Sequence, residues 1–447
     1  MNPTHNALLA DDAQYCWHPF TQAHTANPPL PIVRGHNEFL FDAQGKQYFD
    51  AVSSWWVNLH GHSNPVVAQA IAQQAQQLEH VMFAGITHPP AVELAKTLID
   101  NAPAPLAKVF YSDNGSTAIE VALKMAFQYW QNKQQPTKQR IIALEGGYHG
   151  DTFGAMSAGQ SSGFYTPFKP WLFQVDFIPS GLCPATETQA LAQLDSLLNS
   201  QTEHIAALIL EPLIQGASGM RFMRPQFVAE LCKRCAKAGV LVIFDEVFTG
   251  FYRTGTLFAA HQIAQHGGHA DLLCLSKGLT GGFMPMAATL SSQAIYDAFL
   301  SNNLDKALLH GHSYTANPLG CAAALASFKL LQTPDTQAKI HTIEALHHKW
   351  LPTLQAHPAL ENPRICGTIA AFELKSQQNH YGSASSQWIR ETFLELGIVV
   401  RPLGHTVYWV PPYCTQISTL EHAYQTLMVV LERWQHQQTP ATGSELF

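Results

Sequence analysis

The chain has 447 residues, of which 46% are hydrophobic and only 13% charged, and its formal net charge is −7. This length suits one large domain with a smaller one. The weak charge and the lack of Lys/Arg clusters argue against nucleic acid or anionic membrane as the main partner. No stretch approaches the roughly 20 apolar residues of a membrane span, so we expect a cytoplasmic protein that acts on small molecules.

Short strands and turns are expected in the first sixty residues, where turn signals at Asn37 and Gly45 predict a hairpin or meander. From about Pro65, helices alternate with short apolar strands, which indicates a largely parallel sheet covered by helices on both faces. The predicted helices are 66–78, 91–99, 117–131, 226–238 and 320–331, and the predicted strands are 108–111, 140–144, 206–210, 240–244 and 272–275.

A second lobe is predicted after residue 334, where the composition becomes more polar. It should contain a long helix at 340–356, a strand pair around 367–374 and 399–410, and a final helix at 420–435. Eight scattered cysteines favour reduced thiols over a disulfide framework. Cys232 and Cys235 lie in a helical pattern without a second such pair, so packing is favoured over zinc, and we expect no metal site.

Two charged residues end neighbouring buried strands, Asp245 after VLVIF and Lys277 after DLLCLS. A lysine becomes a carbonyl-attacking nucleophile when desolvation lowers its pKa. A carboxylate nearby can keep a pyridinium nitrogen protonated, as pyridoxal phosphate (PLP) requires. The alternative is that Lys277 opens a solvated turn and Asp245 caps a helix.

A phosphate seat is predicted at Asn114-Gly115-Ser116-Thr117, between a strand and an amphipathic helix. Glycine allows close approach of the backbone, and the first helical N–H groups point at an anion. An ordinary helix N-cap is the alternative. Tyr148, in the loop GGYHGD, carries a ring that could stack on a planar cofactor, or it is a half-buried loop tyrosine.

Taken together, these segments resemble a known family. GST after a strand, GGYHG, Glu211-Pro212, DEVFTGFYRTG and SKGLTGG are similar to the subgroup III aminotransferases of the fold-type I PLP enzymes, over nearly the whole chain. The resemblance implies an α/β fold: a large PLP-binding domain over residues 65–334 with a mostly parallel sheet, and a small α+β domain built from both chain ends, 1–64 and 335–447.

Catalytic and cofactor roles follow from the resemblance. It implies that Lys277 carries PLP covalently and moves a proton, that Asp245 pairs with the pyridine nitrogen, and that Tyr148 covers the ring. Gly115 and Ser116 would hold the phosphate. His312 and Ser313 of a second subunit would reach the same phosphate, so a homodimer with shared active sites is expected.

The resemblance is narrower at WHPFTQ, SSWW and HVMFAGITHPPAVELA, which are similar to the family members that aminate 8-amino-7-oxononanoate in biotin synthesis. It implies that Arg401 binds the substrate carboxylate, which suits a planar guanidinium. The other substrate-binding residues it implies are Phe20, Trp55, Trp56, Tyr148, Asp151 and Gly311. If the resemblance is set aside, packing in the hydrophobic core explains the two tryptophans as well as substrate binding does.

The amino donor is expected to be S-adenosylmethionine. Some members have tyrosine where this chain has Phe20, and members that use lysine as donor can also carry phenylalanine. Ala217 stands where glutamate-using relatives have a carboxylate, which argues against 2-oxoglutarate as the routine co-substrate. The alternatives are lysine as donor, an ω-amino acid or polyamine:pyruvate aminotransferase, an aminomutase, and a non-catalytic binding protein.

Overall fold

A seven-stranded sheet forms the centre of the molecule in a computed structural model, which describes residues 5–159, 165–376 and 382–438. Its strands lie in the order β4-β12-β11-β10-β7-β5-β6. All run parallel except β12, which is antiparallel to both of its neighbours. The strands are β4 Leu106–Ser112, β5 Arg140–Leu144, β6 Val175–Ile178, β7 Ile205–Leu210, β10 Leu241–Asp245, β11 Leu272–Leu275 and β12 Ala287–Ser292.

Three smaller sheets surround the central one. A four-stranded sheet in the order β1-β2-β3-β15 joins both ends of the chain, because β15 pairs in parallel with β3. A three-stranded sheet has the order β13-β14-β16, and β8 pairs with β9. These strands are β1 Ile32–His36, β2 Phe39–Asp42, β3 Gln47–Asp50, β8 Ile214–Gln215, β9 Arg221–Phe222, β13 Leu360–Cys366, β14 Ile369–Leu374, β15 Ile398–Val399 and β16 Thr406–Trp409.

Helices cover both faces of the central sheet, as its uninterrupted apolar strands require; β7 and β10 are buried at every position. Four helices begin with proline after a side-chain cap from Asn or Thr or His, which fits the preference of proline for the first helical turn. The right-handed α-helices are His5–Tyr15, Pro65–Gln77, Pro89–Asp100, Gly115–Asn132, Phe153–Ala158, Pro184–Gln201, Pro225–Lys237, Ala259–Ala264, Gln293–Ala298, Pro318–Leu331, Pro334–Ala356, Ala384–Glu395 and Ile417–Gln438.

The predicted α/β class is confirmed, and the predicted N-terminal meander is present as β1, β2 and β3. The predicted strand pair in the second lobe is present, since β14 pairs with β16. Its second strand does not extend over 399–410: β15 and β16 belong to different sheets, because Pro402 has no N–H for a ladder and Gly404 turns the chain at φ 62°. Strand pairing between the two chain ends agrees with a small domain made of both, while its boundaries at 64/65 and 334/335 stay predictions.

Cys232 and Cys235 are both buried in the hydrophobic core on helix Pro225–Lys237, where burial raises the pKa of each thiol. This agrees with packing. No helix in the described part of the chain is both long enough and apolar enough to cross a bilayer.

Candidate active site

Lys277 and Asp245 lie at adjacent ends of parallel strands, as the sequence predicted. β10 pairs with β11 in parallel, so the carboxyl ends of both strands open on the same edge of the sheet. Burial lowers the pKa of Lys277 to about 8, against the opposing effect of the Asp245 and Glu211 carboxylates. The ammonium nitrogen lies 4.5 Å from the centroid of the Trp56 ring. The half-buried lysine therefore points its amine into the cavity against an aromatic ring, not into a solvated turn, and it loses its proton more readily than an exposed lysine does.

Asp245 is held by a histidine that the sequence analysis did not assign to the site. His149 Nδ1 lies 2.7 Å from Asp245 Oδ2, and the Val247 N–H donates to Asp245 Oδ1 at 3.1 Å. Both side chains are buried, and among the described residues His149 Nε2 has no hydrogen-bond partner. Buried and hydrogen-bonded in this way, the Asp245 carboxylate is fixed and positioned to receive a cationic N–H in the cavity.

Glu211 links two loops of the cavity wall. Its carboxylate accepts the Tyr148 N–H at 2.9 Å and the Gly216 N–H at 3.0 Å. Burial raises the pKa of Glu211 to about 7, although His149 acts in the opposite direction. The Glu-Pro motif therefore supplies a buried clamp behind the aromatic loop, a role that the sequence pattern alone did not reveal.

The predicted phosphate seat is the first turn of helix Gly115–Asn132. Asn114, not Ser116 or Thr117, is the N-cap, and the Thr117 hydroxyl is used within a capping box. Ser116 lines the cavity, and its Oγ accepts the Asp151 N–H at 3.1 Å. A Cβ on Gly115 would lie 2.7 Å from Val247 Cγ1. The backbone therefore approaches the cavity here because the residue has no side chain.

The aromatic loop places Tyr148 beside Asp151. The Tyr148 hydroxyl donates to Asp151 Oδ2 at 3.0 Å. Burial, with Asp151 as the next cause, raises the pKa of Tyr148 above its ordinary value. The phenol is therefore protonated at neutral pH and acts as a hydrogen-bond donor.

Both tryptophans lie on a left-handed helical turn, Ser53–Trp56, in which all four residues have φ between 46° and 73°. None of them is glycine, so this conformation costs roughly 1–2 kcal/mol per residue. Strained backbone of this kind persists only where its surroundings hold it, and it concentrates at functional sites. The turn directs Trp56 to Lys277 and Trp55 to Arg401.

Arg401 and Phe20 flank Trp55. The Arg401 guanidinium carbon lies 4.0 Å from the Trp55 ring centroid, and the Phe20 ring meets Trp55 edge-on at 5.4 Å. Phe20 itself has a positive φ of 52°. This cation and these two rings form one wall, which suits a carboxylate attached to an apolar chain.

One cavity of about 560 Å³ collects most of the predicted site residues. Those that line it are Phe20, Trp55, Trp56, Gly115, Ser116, Tyr148, Asp151, Asp245, Lys277 and Arg401. Gly311, His312 and Ser313 do not line it; they follow His310, whose Nδ1 lies 3.1 Å from Lys124 Nζ at the surface. Their contribution to a second subunit's site stays a prediction.

These residues fit the cofactor that the sequence resemblance implies. A depressed lysine pKa, a buried carboxylate, a side-chain-free approach at Gly115 and an orphan buried nitrogen on His149 meet in one space. The lysine would hold an aldehyde carbon, the carboxylate would hold a ring nitrogen, and the backbone at Gly115 would hold a phosphate. His149 was missed although it follows Tyr148 directly, because a histidine in a loop carries no periodic signal.

A possible metal cluster lies away from this cavity. Among the described residues, Glu361, Glu373 and His405 bring ligand atoms within 4.8 Å of one another. Glu373 is already ion-paired with Arg364 at 2.8 Å, and a guanidinium opposes a bound cation. This cluster is therefore best explained as an ion-pair network.

The chain matches the family model of the class-III aminotransferases over residues 20–431. It is 47% identical over 425 residues to the adenosylmethionine-8-amino-7-oxononanoate aminotransferase of Synechococcus elongatus, covering 94% of this chain and 98% of that protein.

Two solved structures share the fold. The adenosylmethionine-8-amino-7-oxononanoate aminotransferase of Methanocaldococcus jannaschii superposes with a TM-score of 0.90 at 36% identity, covering 96% of this chain and 99% of the other. A PLP-bound amine transaminase from an uncultivated Pseudomonas species gives a TM-score of 0.86 at 30% identity, covering 94% and 98%.

Proposed function

The chain belongs to the class-III aminotransferases, and from this premise we propose that it converts 8-amino-7-oxononanoate to 7,8-diaminononanoate in biotin synthesis, with S-adenosylmethionine as amino donor. The cofactor is pyridoxal phosphate. The observation that carries the proposal is the wall formed by Arg401, Trp55 and Phe20 in the cavity that Lys277 also lines, because it offers a carboxylate site and an apolar path to one reactive amine.

The residues divide the work of the reaction. Bound PLP supplies a carbonyl that accepts amino groups and a ring that accepts the electron pair left when a substrate carbon loses its proton. Lys277 Nζ moves that proton, for which its lowered pKa near 8 is suited. Asp245, fixed by His149, keeps a proton on the ring nitrogen.

Arg401 would bind the carboxylate of the acceptor through its planar fork, with Trp55 packed on the guanidinium face. Ala217 lines the same cavity and offers no carboxylate to pair with Arg401. This supports an acceptor whose carboxylate binds Arg401. It argues against glutamate and 2-oxoglutarate as the routine co-substrate pair.

Phe20 bears on the donor. Its ring lines the cavity and can stack on an adenine, but it has no hydroxyl for a polar contact. Lysine therefore stays the alternative donor. The predicted cytoplasmic location and the shared-site homodimer also stay predictions, and the dimer is tested below.

The function is tested by adding S-adenosylmethionine, or separately lysine, to the PLP-loaded protein, and then the oxononanoate. We expect S-adenosylmethionine to bleach the visible cofactor band and the oxononanoate to restore it with release of the diamine. Bleaching by lysine alone would change the donor only. Recovery of the band with pyruvate but not with the oxononanoate would replace the proposed function by that of an ω-amino acid or polyamine aminotransferase.

A further inference from the structure

The left-handed turn that carries Trp55 and Trp56 is tied to one buried carboxylate. Asp50 is the last residue of β3 and is fully buried. Its Oδ1 accepts the Ser54 N–H at 3.0 Å, and its Oδ2 accepts the Ser54 hydroxyl at 2.7 Å. Both bonds end on a residue at φ 46°, within the strained stretch of the turn.

A histidine holds the carboxylate from the other side. His62 Nε2 lies 2.9 Å from Asp50 Oδ2, and its side chain is largely buried. Asp50 is further fixed through its backbone, since its N–H donates to the Glu38 carbonyl at 2.9 Å. The carboxylate therefore has a set position before it meets the turn.

The turn also joins the C-terminal part of the chain. The Ser53 hydroxyl donates to the Val410 carbonyl at 2.6 Å, and Trp56 Nε1 donates to the Tyr408 hydroxyl at 3.2 Å. These bonds fix Ser53 and Trp56, the first and last residues of the turn, whereas Asp50 binds Ser54 in its middle. Asp50 itself stands behind the turn and does not line the cavity.

We propose that Asp50 is a positioning residue: by holding Ser54 in the left-handed conformation, it sets where Trp55 meets Arg401 and Trp56 meets Lys277, and thereby sets the affinity for the carboxylate substrate. The identity of that substrate rests on the proposed function. The effect is expected mainly in KM, because the wall at Arg401 binds the carboxylate in ground and transition states alike.

The test compares Asp50→Ala with Asp42→Ala in the PLP-loaded protein. Asp42 is a matched control: it is also buried, its Oδ1 accepts the Gln44 and Lys46 N–H groups at 2.9 Å and its Oδ2 accepts the Tyr48 hydroxyl at 3.0 Å. It thus holds a turn by the same kind of bonds, but a turn that does not line the cavity.

Two readouts are needed, amide hydrogen exchange and KM. The Ser54 N–H donates to Asp50, the Trp56 N–H to the Val52 carbonyl, and the N–H groups of Val57 and Asn58 to the Ser53 carbonyl. In Asp50→Ala we expect their exchange to accelerate, and KM for the oxononanoate to rise, by about tenfold or more each, the loss that removing a charged acceptor typically brings. Asp42→Ala should leave both unchanged, and Asp50→Asn should restore much of both, because its amide oxygen still accepts from Ser54.

Exchange at residues 54–58 no faster than in the Asp42 variant would overturn the proposal, and so would faster exchange with unchanged KM. If Asp50→Ala does not fold, Ser54→Ala removes the hydroxyl bond alone, and it should shift both readouts in the same direction by a smaller factor; no shift in either would count against Asp50. Exchange requires no substrate, so a wrong choice of acceptor leaves that readout intact. If the oxononanoate proves to be the wrong acceptor, KM is measured instead for the carboxylate acceptor that restores the cofactor band.

Discussion

Lys277 combines a left-handed backbone at φ 45° with a half-buried side chain whose amine lines the cavity. Burial lowers its pKa to about 8, so the nucleophilic neutral form grows as the pH rises through 8. We expect cofactor-free protein to capture PLP covalently at a rate that increases with pH and is half-maximal near 8, as followed by stopped-flow absorbance. An exposed lysine would give a midpoint of about 10.4.

The Lys277→Ala variant supplies the background for that experiment, because it retains every other lysine. It should bind PLP without forming the covalent bond and should lose turnover. A midpoint near pH 10, or the same capture rate in Lys277→Ala, would show that another amine reacts.

Arg401 allows a second prediction at the residue scale. Arg401→Ala should weaken binding of the oxononanoate by roughly 2–5 kcal/mol if a desolvated charge pair is broken, and it should have little effect on binding of the donor. Arg401→Lys should lie between, because it keeps the charge but loses the two-bond fork. Steady-state kinetics with each substrate varied in turn measures this. Equal losses for both substrates would assign Arg401 a structural role.

The individual residues differed in how far the sequence could predict their positions. The position of Asp245 at the end of β10 and that of Lys277 just after β11 were predicted, because both strands are buried throughout and their ends are easily read from the sequence. His149 and Glu211 were given no role because a buried polar contact between distant segments leaves no local pattern. Their roles depend on which loops the sheet brings together.

Among the elements, the loop GGYHGD depends on one glycine. Gly150 has φ 125°, and a Cβ there would lie 2.0 Å from Ser116 Oγ. Gly150→Ala should therefore displace Ser116 and weaken PLP binding about tenfold or more, the effect of strain at a special backbone position together with a steric clash. Fluorescence titration of cofactor-free protein with PLP measures the change.

Gly45→Ala is the control, since Gly45 also has a positive φ, 86°, but a Cβ there meets no described residue within 4 Å. It should cost some stability and leave PLP affinity unchanged. If Gly150→Ala binds PLP as tightly as Gly45→Ala does, the contact with Ser116 does not shape the phosphate seat.

Periodic, apolar elements were predicted well: β5 and β11 have the expected bounds, and helix Gly115–Asn132 extends only slightly past its predicted range. Strand β12 was not predicted, because its sequence AATLSS mixes apolar and hydroxyl residues. All six are nevertheless buried, and Thr289 satisfies its hydroxyl on the Ala118 carbonyl at 3.0 Å. The left-handed turn was missed for a different reason, since it contains neither glycine nor asparagine, the residues that tolerate a positive φ.

At the scale of the whole molecule, the alternation of strands and helices predicted the parallel part of the central sheet, but not its order. β12 inserts as an antiparallel strand between β4 and β11. This insertion separates the strand before the predicted phosphate seat from the strand before Lys277. Such long-range pairing depends on tertiary packing, which a single sequence does not display.

One part of the predicted site concerns a second subunit. Gly311, His312 and Ser313 lie outside the cavity of their own chain, and their neighbours Leu309 and Tyr314 are 68% and 63% exposed. If a second copy covers this segment, each cavity combines Lys277 of one protomer with Ser313 from its partner. Two defective variants should then complement each other.

Lys277→Ala removes the amine, and Ser313→Asp places a carboxylate where a phosphate would bind, so each homodimer should be inactive or nearly so. In a mixed dimer, one cavity combines the altered Lys277 position of one chain with the altered Ser313 position of the other. The second cavity then has both native residues, because the Lys277 and the Ser313 of one chain serve different cavities. Dimers purified with two different tags should therefore recover about half of the wild-type turnover per dimer. Sites built within one chain would instead leave the mixed dimer no more active than its parents, and a monomer in sedimentation would contradict the shared site directly.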